Sequence, residues 1–176
     1  MEDQIEEIQR LRGCINDLVS LLALPAMWSG REPPEVVGIL LDVLLSVLGL
    51  DFAYGRLNVV AGESPVEAIR VAQPQKMAPG PRDVGRLLEP WLTLSRPAST
   101  SKVPNPVGEG EVSISIACLS LGLEQERGVV VAGSQRDDFP THIETLLLMV
   151  AANQAITELQ RAEILAERNR AAESNA

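Results

Sequence analysis

Aromatic side chains are scarce in this sequence: two Trp, one Tyr and two Phe, 3 % of the residues. A core must therefore be filled by Leu, Val, Ile and Ala. Cysteine is as rare, with Cys14 and Cys118 far apart and neither in a CxxC pair, and His142 is the single histidine. These three residues cannot supply the four ligands of a structural zinc site, so no metal site is expected. A disulfide framework is excluded on the same grounds. Basic residues are outnumbered 24 to 15 by acids, for a formal charge of −9. That excess speaks against a nucleic-acid surface, which needs clustered Lys and Arg to displace counterions, and against an anionic membrane surface. Spread along the chain, it serves solubility. The longest apolar run, Val43 to Leu50, is broken by Ser46 and Gly49 and is too short to span a bilayer. The opening Met1-Glu2-Asp3-Gln4 has no signal-peptide layout, and the expected compartment is the cytoplasm.

What the chain does have is 45 % apolar residues over a length of 176, enough for one domain with flanking helix. Residues 2 to 24 read as a helix. Ile8, Leu11, Ile15, Leu18 and Leu22 step by three and four residues, the a/d seam of a short coiled coil. Pro25 to Pro34 reads as a connector. Pro33-Pro34 opens a second helix to about Leu48, apolar around most of its circumference and so buried, with Gly49 placed to end it. Strands follow at 51–60 and 66–72, joined by Ala61-Gly62-Glu63-Ser64-Pro65 as a hairpin. A helix is expected from Arg82 to Leu94, with Val84, Leu87, Leu88, Trp91 and Leu92 on one side and a kink or split at Pro90. The long polar stretch after it hides a short strand at 99–103. Alternation then marks a strand from Glu111 to Leu121, a turn at 122–127 and a returning strand at 128–134. Thr141-His142-Ile143-Glu144 fits a capping box at the start of a last helix to about Ala172. The order α-α-β-β-α-β-β-β-α, dominated by hairpins, defines an α+β fold. Its sheet is antiparallel, and the terminal helices pack on one face and leave the other free.

The stretch Gly128-Val-Val-Val-Ala-Gly-Ser-Gln-Arg-Asp-Asp-Phe-Pro-Thr-His-Ile-Glu, with the Leu-rich helix from Leu146 to Ala155, resembles the closing pattern of a GAF domain. The opening, an apolar helix and then Leu50-Asp-Phe-Ala-Tyr-Gly-Arg-Leu-Asn58, is similar too. More narrowly, the chain resembles the GAF sensor modules that precede PAS and histidine-kinase modules in bacterial signalling proteins. The resemblance spans roughly residues 33 to 160. It implies a PAS/profilin-like antiparallel sheet of about six strands, N- and C-terminal helices packed on one face, and a small-molecule pocket on the other. Residues 1–32 are then a signalling and dimerisation helix with its connector, 33–160 the sensor domain, and 161–176 an extension towards an output module.

The fold hosts many ligands and names none. The Asn-Lys-Phe-Asp-Glu pattern of cyclic-nucleotide members is missing. Neither Cys14 nor Cys118 precedes a His as a bilin-attaching Cys commonly does, and His142 stands at a helix start rather than in a pocket, so no haem, bilin or other cofactor is expected. Candidate ligand contacts are Tyr54, Arg56 and Asn58 on one strand face, a face that meets water or lines a pocket. Arg56 there would suit an anion. Arg86 and Trp91 are candidates on the roofing helix, with core packing the alternative for Trp91. Ser113 and Ser115 are candidates whose alternative is a small-residue surface that lets a helix approach closely. Cys118 reads as a buried small hydrophobe. No nucleophile elbow, Walker loop or thiol pair is present, so no catalytic residue is expected. The expectation is a sensory domain that binds a small molecule and relays the change through its terminal helices. It would be a homodimer through Ile8, Leu11, Ile15, Leu18, Leu22, Ile156 and Leu159, with no nucleic-acid or membrane partner. The alternatives are a ligand-free dimerisation module and, more remotely, a small GAF-fold redox enzyme.

Overall fold

The computed structural model describes residues 1–58, 64–74, 78–92, 98–108, 112–122 and 127–175. Five helices and five strands follow one another along them: α1 Glu2–Leu22, α2 Leu24–Trp28, α3 Pro33–Leu48, β1 Phe52–Leu57, β2 Val66–Val71, α4 Pro81–Leu92, β3 Ala98–Pro104, β4 Ser113–Leu121, β5 Gly128–Ser134 and α5 His142–Ser174. The strands form one antiparallel sheet in the order β2-β1-β5-β4-β3. The described residues thus hold five strands where about six were expected. The end of the expected first strand (Val59, Val60), most of the first hairpin turn, the last residues of the expected internal helix (Thr93, Leu94) and most of the turn at 122–127 lie outside the described residues.

Local chemistry explains the boundaries. Pro33 and Pro34 occupy the first turn of α3, where a missing N–H costs nothing. Gly49 ends that helix in the left-handed region at φ 58°, and Leu50 N donates back to Leu45 O. The capping box of α5 is complete: Glu144 N donates to Thr141 Oγ1 and Thr141 N donates to Glu144 Oε1. Two expectations need correction. The connector after α1 contains a helical turn, α2, whose Leu24 and Trp28 are buried. Amphipathic drive is strong enough there to fold a Pro25-containing segment, because proline sits in its first turn. And α4 runs through Pro90 as one element, in which Val84, Leu88 and Leu92 form the buried stripe and Leu87 is turned outward.

Each face of the sheet carries its own apolar core. On one, Ala53 and Leu57 of β1, Ala117, Leu119 and Leu121 of β4, and Val130 and Ala132 of β5 pack against α1, α2, α3 and α5. Gly55 lets α3 lie close, since a Cβ there would stand 2.7 Å from Val37 Cγ1. The opposite face is covered, not free. Phe52, Tyr54, Ile114, Ile116, Cys118, Val129 and Val131 meet Val84, Leu88 and Leu92 of α4. Each buried Val, Leu, Ile or Phe of these cores contributes about 1.5–3 kcal/mol. The aliphatic excess of the sequence has gone into two thin layers rather than one thick one.

The terminal helices run the same way and overhang opposite ends. Of α1, only Cys14, Asp17 and Leu21 are turned inward, and every residue before Cys14 is exposed. Asp17 lies near Glu144 at the start of α5, while Pro33 faces Leu159 and Ala162, further along α5. The chain from α1 to α3 therefore travels along α5 in its own direction. The first half of α1 projects past one end of the body, and α5 beyond about Leu159 projects past the other.

Candidate functional site

Two of the three residues that sequence reasoning placed on the β1 face, Tyr54 and Arg56, come together under α4 in a closed cluster. Tyr54 Oη donates to Glu67 Oε1 at 2.5 Å and accepts from Arg56 Nε at 3.2 Å. Arg56 Nη2 reaches Glu89 Oε2 at 2.8 Å and Glu67 Oε1 at 3.5 Å. Antiparallel pairing puts Arg56 directly opposite Glu67 on β2, and α4 brings Glu89 down from above. Gly85 of α4 sits on this cluster: a Cβ would overlap Glu67 Oε1 and stand 2.6 Å from Tyr54 Oη. Only a residue without a side chain lets the helix reach the network.

The electrostatics follow from burial. Desolvation, then the hydrogen bond to Glu67, pushes the Tyr54 hydroxyl well above its ordinary pKa, so it stays a donor. Burial alone would lower the Arg56 pKa, but its hydrogen bonds to Glu89 and Tyr54 outweigh that and raise it. The guanidinium is thus a fixed cation already facing two carboxylates. An incoming anion would have to displace one of them. Glu89, with its side chain 53 % exposed, is far easier to displace than Glu67 at 11 %.

The other candidates scatter. Trp91 is half-buried and packs against the apolar cluster under α4. Arg86 is on the outer side of α4 and exposed. Asn58 lies just past the end of β1 and lines a groove beside α5, with Leu57 and Arg127. Ser113 and Ser115 alternate with Ile114 and Ile116, so they lie on the α5 side of the sheet, away from Tyr54. Ser115 borders an open depression with Phe139 and Thr145. Cys118 is buried under α4, and burial pushes its thiol up to about 11 against a hydrogen bond with Ser99 that lowers it. Cys14 is on α1, on the other face of the sheet, so the two thiols cannot act as a pair.

Glu67, Gly85 and Glu89 were not singled out from sequence. The signal for Glu67 was available: with the hairpin in register, opposite charges at Arg56 and Glu67 form a cross-strand pair. Gly85, a helix-weakening residue inside an amphipathic stripe, was the second. Among the described residues no group of three His, Cys, Asp or Glu could hold a metal ion. No helix among them is long and apolar enough to cross a membrane.

The expected helical interface divides in two. Ile8, Leu11, Ile15, Leu18 and Leu22 are 39–59 % exposed and form one stripe of α1, joined by Ile5 and Val19. Leu159, at 2 % exposure, and the half-buried Ile156 pack instead into their own chain's core, because α5 at that point still lies on the sheet.

An antiparallel α+β sheet with paired terminal helices on one face and a single roofing helix on the other defines the class of this domain. No protein-family model matches the chain, and no curated protein resembles it in sequence. Solved structures do. A phycoerythrobilin-bound GAF domain from a cyanobacterial phytochrome superposes with a TM-score of 0.58 at 12 % identity, covering 86 % of this chain and 98 % of its own. The GAF domain of a putative sensor histidine kinase from Pseudomonas syringae pv. tomato gives 0.57 at 13 %, covering 93 % and 98 %. The free methionine-R-sulfoxide reductase of Neisseria meningitidis, solved with its substrate, gives 0.53 at 15 %, covering 82 % and 89 %. The chain has the fold of a GAF domain.

Proposed function

We propose that this chain is the sensory GAF domain of a signalling protein of the histidine-kinase-associated kind, working as a homodimer that relays change through α1 and α5. The observation that carries this reading is the α1 stripe. Seven large apolar side chains, from Ile5 to Leu22, stand 39–59 % exposed at coiled-coil spacing. A contiguous apolar face of that kind is rare on a monomer and marks an interface. Leu146 and Met149, on the first turns of α5, are exposed as well. A second copy meeting the same stripe in parallel would bury it and set the overhanging ends side by side. Sedimentation equilibrium tests this. Wild-type protein is expected to be a dimer, and Ile8→Lys with Ile15→Lys a folded monomer with unchanged helix content. A wild-type monomer at high micromolar concentration would overturn the reading.

The ligand-free version of this function, a dimerisation and relay module, is favoured by one observation. The candidate anion contact under α4, Arg56, is already satisfied by Glu67 and Glu89. A small molecule under α4 would require the helix to lift and Glu89 to let go. A redox enzyme is disfavoured by the thiols, one of them buried with a raised pKa and the two on opposite faces.

A further inference from the structure

A second arginine offers a different opportunity, on the other face of the sheet. Where α5 leaves the body, a groove of about 400 Å³ opens between the helix and the ends of β1 and β5. That is within the size range of small-molecule sites, about 300–1,000 Å³. Its walls are Leu57, Leu159, Ala162 and Ala166, and its polar groups include Arg127 and Glu163. The side chain of Arg127 is 18 % exposed and that of Glu163 is 56 % exposed, with Nη1 and Oε1 2.6 Å apart. Nη1 is nevertheless buried without a well-directed hydrogen-bond acceptor. Glu163 touches Nη1 without meeting the direction of its N–H bonds.

The asymmetry of this pair decides what the groove can bind. Glu163 can swing into water at little cost. Arg127 cannot follow, and a half-buried guanidinium left alone is unfavourable. Another carboxylate with freedom to orient would make the aligned, charge-assisted contact that Glu163 does not. The chain of small side chains, Ala162 and Ala166, leaves apolar room beside it. We infer that this groove is a binding site for a small amphipathic carboxylate, whose carboxylate replaces Glu163 on Arg127 and whose apolar portion covers Leu57, Leu159, Ala162 and Ala166. Occupancy would swap a tie between body and helix for a ligand wedged at the point where α5 departs. The site is separate from the α4 face, and it does not depend on self-association.

The test uses the full chain and sodium hexanoate, followed by amide chemical shifts. Hexanoate is expected to give saturable shifts confined to residues around Leu57, Arg127 and Ala162 to Ala166. Acetate, lacking the apolar part, and hexanol, lacking the charge, are each expected to bind at least about tenfold more weakly, the loss of one charge-assisted or apolar contact. Glu163→Gln, a size-conserving change at an exposed side chain, removes the competing charge and should tighten hexanoate binding by about threefold or more. Arg127→Gln should abolish it. The inference is overturned if neither wild type nor Glu163→Gln shows saturable shifts at the groove, or if hexanol binds as well as hexanoate. It is equally overturned if Glu163→Gln leaves affinity unchanged, or if the shifts map under α4. None of these outcomes bears on whether the protein is a dimer.

Discussion

Gly85→Ala is the substitution that most directly tests the closed network under α4. Alanine is the better helix former, and in an exposed helix the change would stabilise by about 1 kcal/mol. Here the added methyl would overlap Glu67 Oε1 and lie 2.6 Å from Tyr54 Oη. Tyr54 is fully buried and the Glu67 side chain is 11 % exposed, so the carboxylate can yield only by giving up its bond to Tyr54. Forcing them apart adds strain of about 1–3 kcal/mol, the usual cost of overpacking. Breaking the Tyr54–Glu67 hydrogen bond leaves a buried carboxylate short of a partner, at about 1–3 kcal/mol more. Set against the helical gain, the expected net loss is about 2–3 kcal/mol. With a urea m-value of about 2 kcal/mol/M, the midpoint should fall by about 1 M. A double-mutant cycle with Glu67→Ala locates the cause. If the methyl acts through that carboxylate, the two costs are less than additive by about 1 kcal/mol or more. A Gly85→Ala protein as stable as wild type would refute the argument, as would strict additivity.

Two further predictions concern the terminal helices. Asp17 has a raised pKa, first because it is partly buried and second because Glu144 faces it, with Arg136 pairing Glu144 from the turn before α5. Between the ordinary carboxylate pKa and the raised one, the native state is therefore the more protonated at Asp17. Stability from this group grows as pH falls through the raised value and is lost as pH rises through it. Asp17→Asn should raise the melting temperature at neutral pH and flatten its rise on mild acidification; an unchanged pH profile would contradict the contact. Thr141→Ala removes the hydroxyl that accepts from Glu144 N, and should cost about 1 kcal/mol by chemical denaturation. No loss would mean that the first turn of α5 is held by packing alone.

Most of the secondary structure was legible in the sequence because local chemistry fixes it. Gly49, the Pro33-Pro34 pair and the Thr141–Glu144 box each mark an end by what their own backbone can or cannot do. The faces of β1 and β4 were legible for the same reason, since alternation alone separates Phe52 and Tyr54 from Ala53, and Ile114 from Ser115. What could not be read was depth. Leu159 continues the apolar spacing of α5 that suggested an interface, and nothing in that spacing tells whether the partner is another chain or the chain's own sheet. Asn58 keeps the parity of Tyr54 and Arg56, yet the strand has ended at Leu57 and parity no longer assigns a face. The state of Arg56 was equally hidden. An arginine on a strand suits an anion until Glu67 and Glu89 are found on it, and those come from elements 11 and 33 residues away.

The two arginines stand in related positions on the two faces of the sheet. Arg56 and Arg127 sit at the same end of neighbouring strands: Leu57 pairs with Gly128, and Asn58 N donates to Arg127 O. Yet they face opposite ways, Arg56 to Glu89 on α4 and Arg127 to Glu163 on α5. In each pair the arginine, Arg56 in β1 and Arg127 just before β5, is mostly buried, while the glutamate belongs to a helix and is more than half exposed. The glutamate is therefore always the partner that lets go. Each helix is held to its face mainly by apolar side chains, Val84, Leu88 and Leu92 of α4 and Leu148, Ala151 and Leu159 of α5, and the arginine–glutamate pair is the polar contact beside them. This puts the movable contacts of both faces within a few residues of each other, at the end of the body from which α5 emerges.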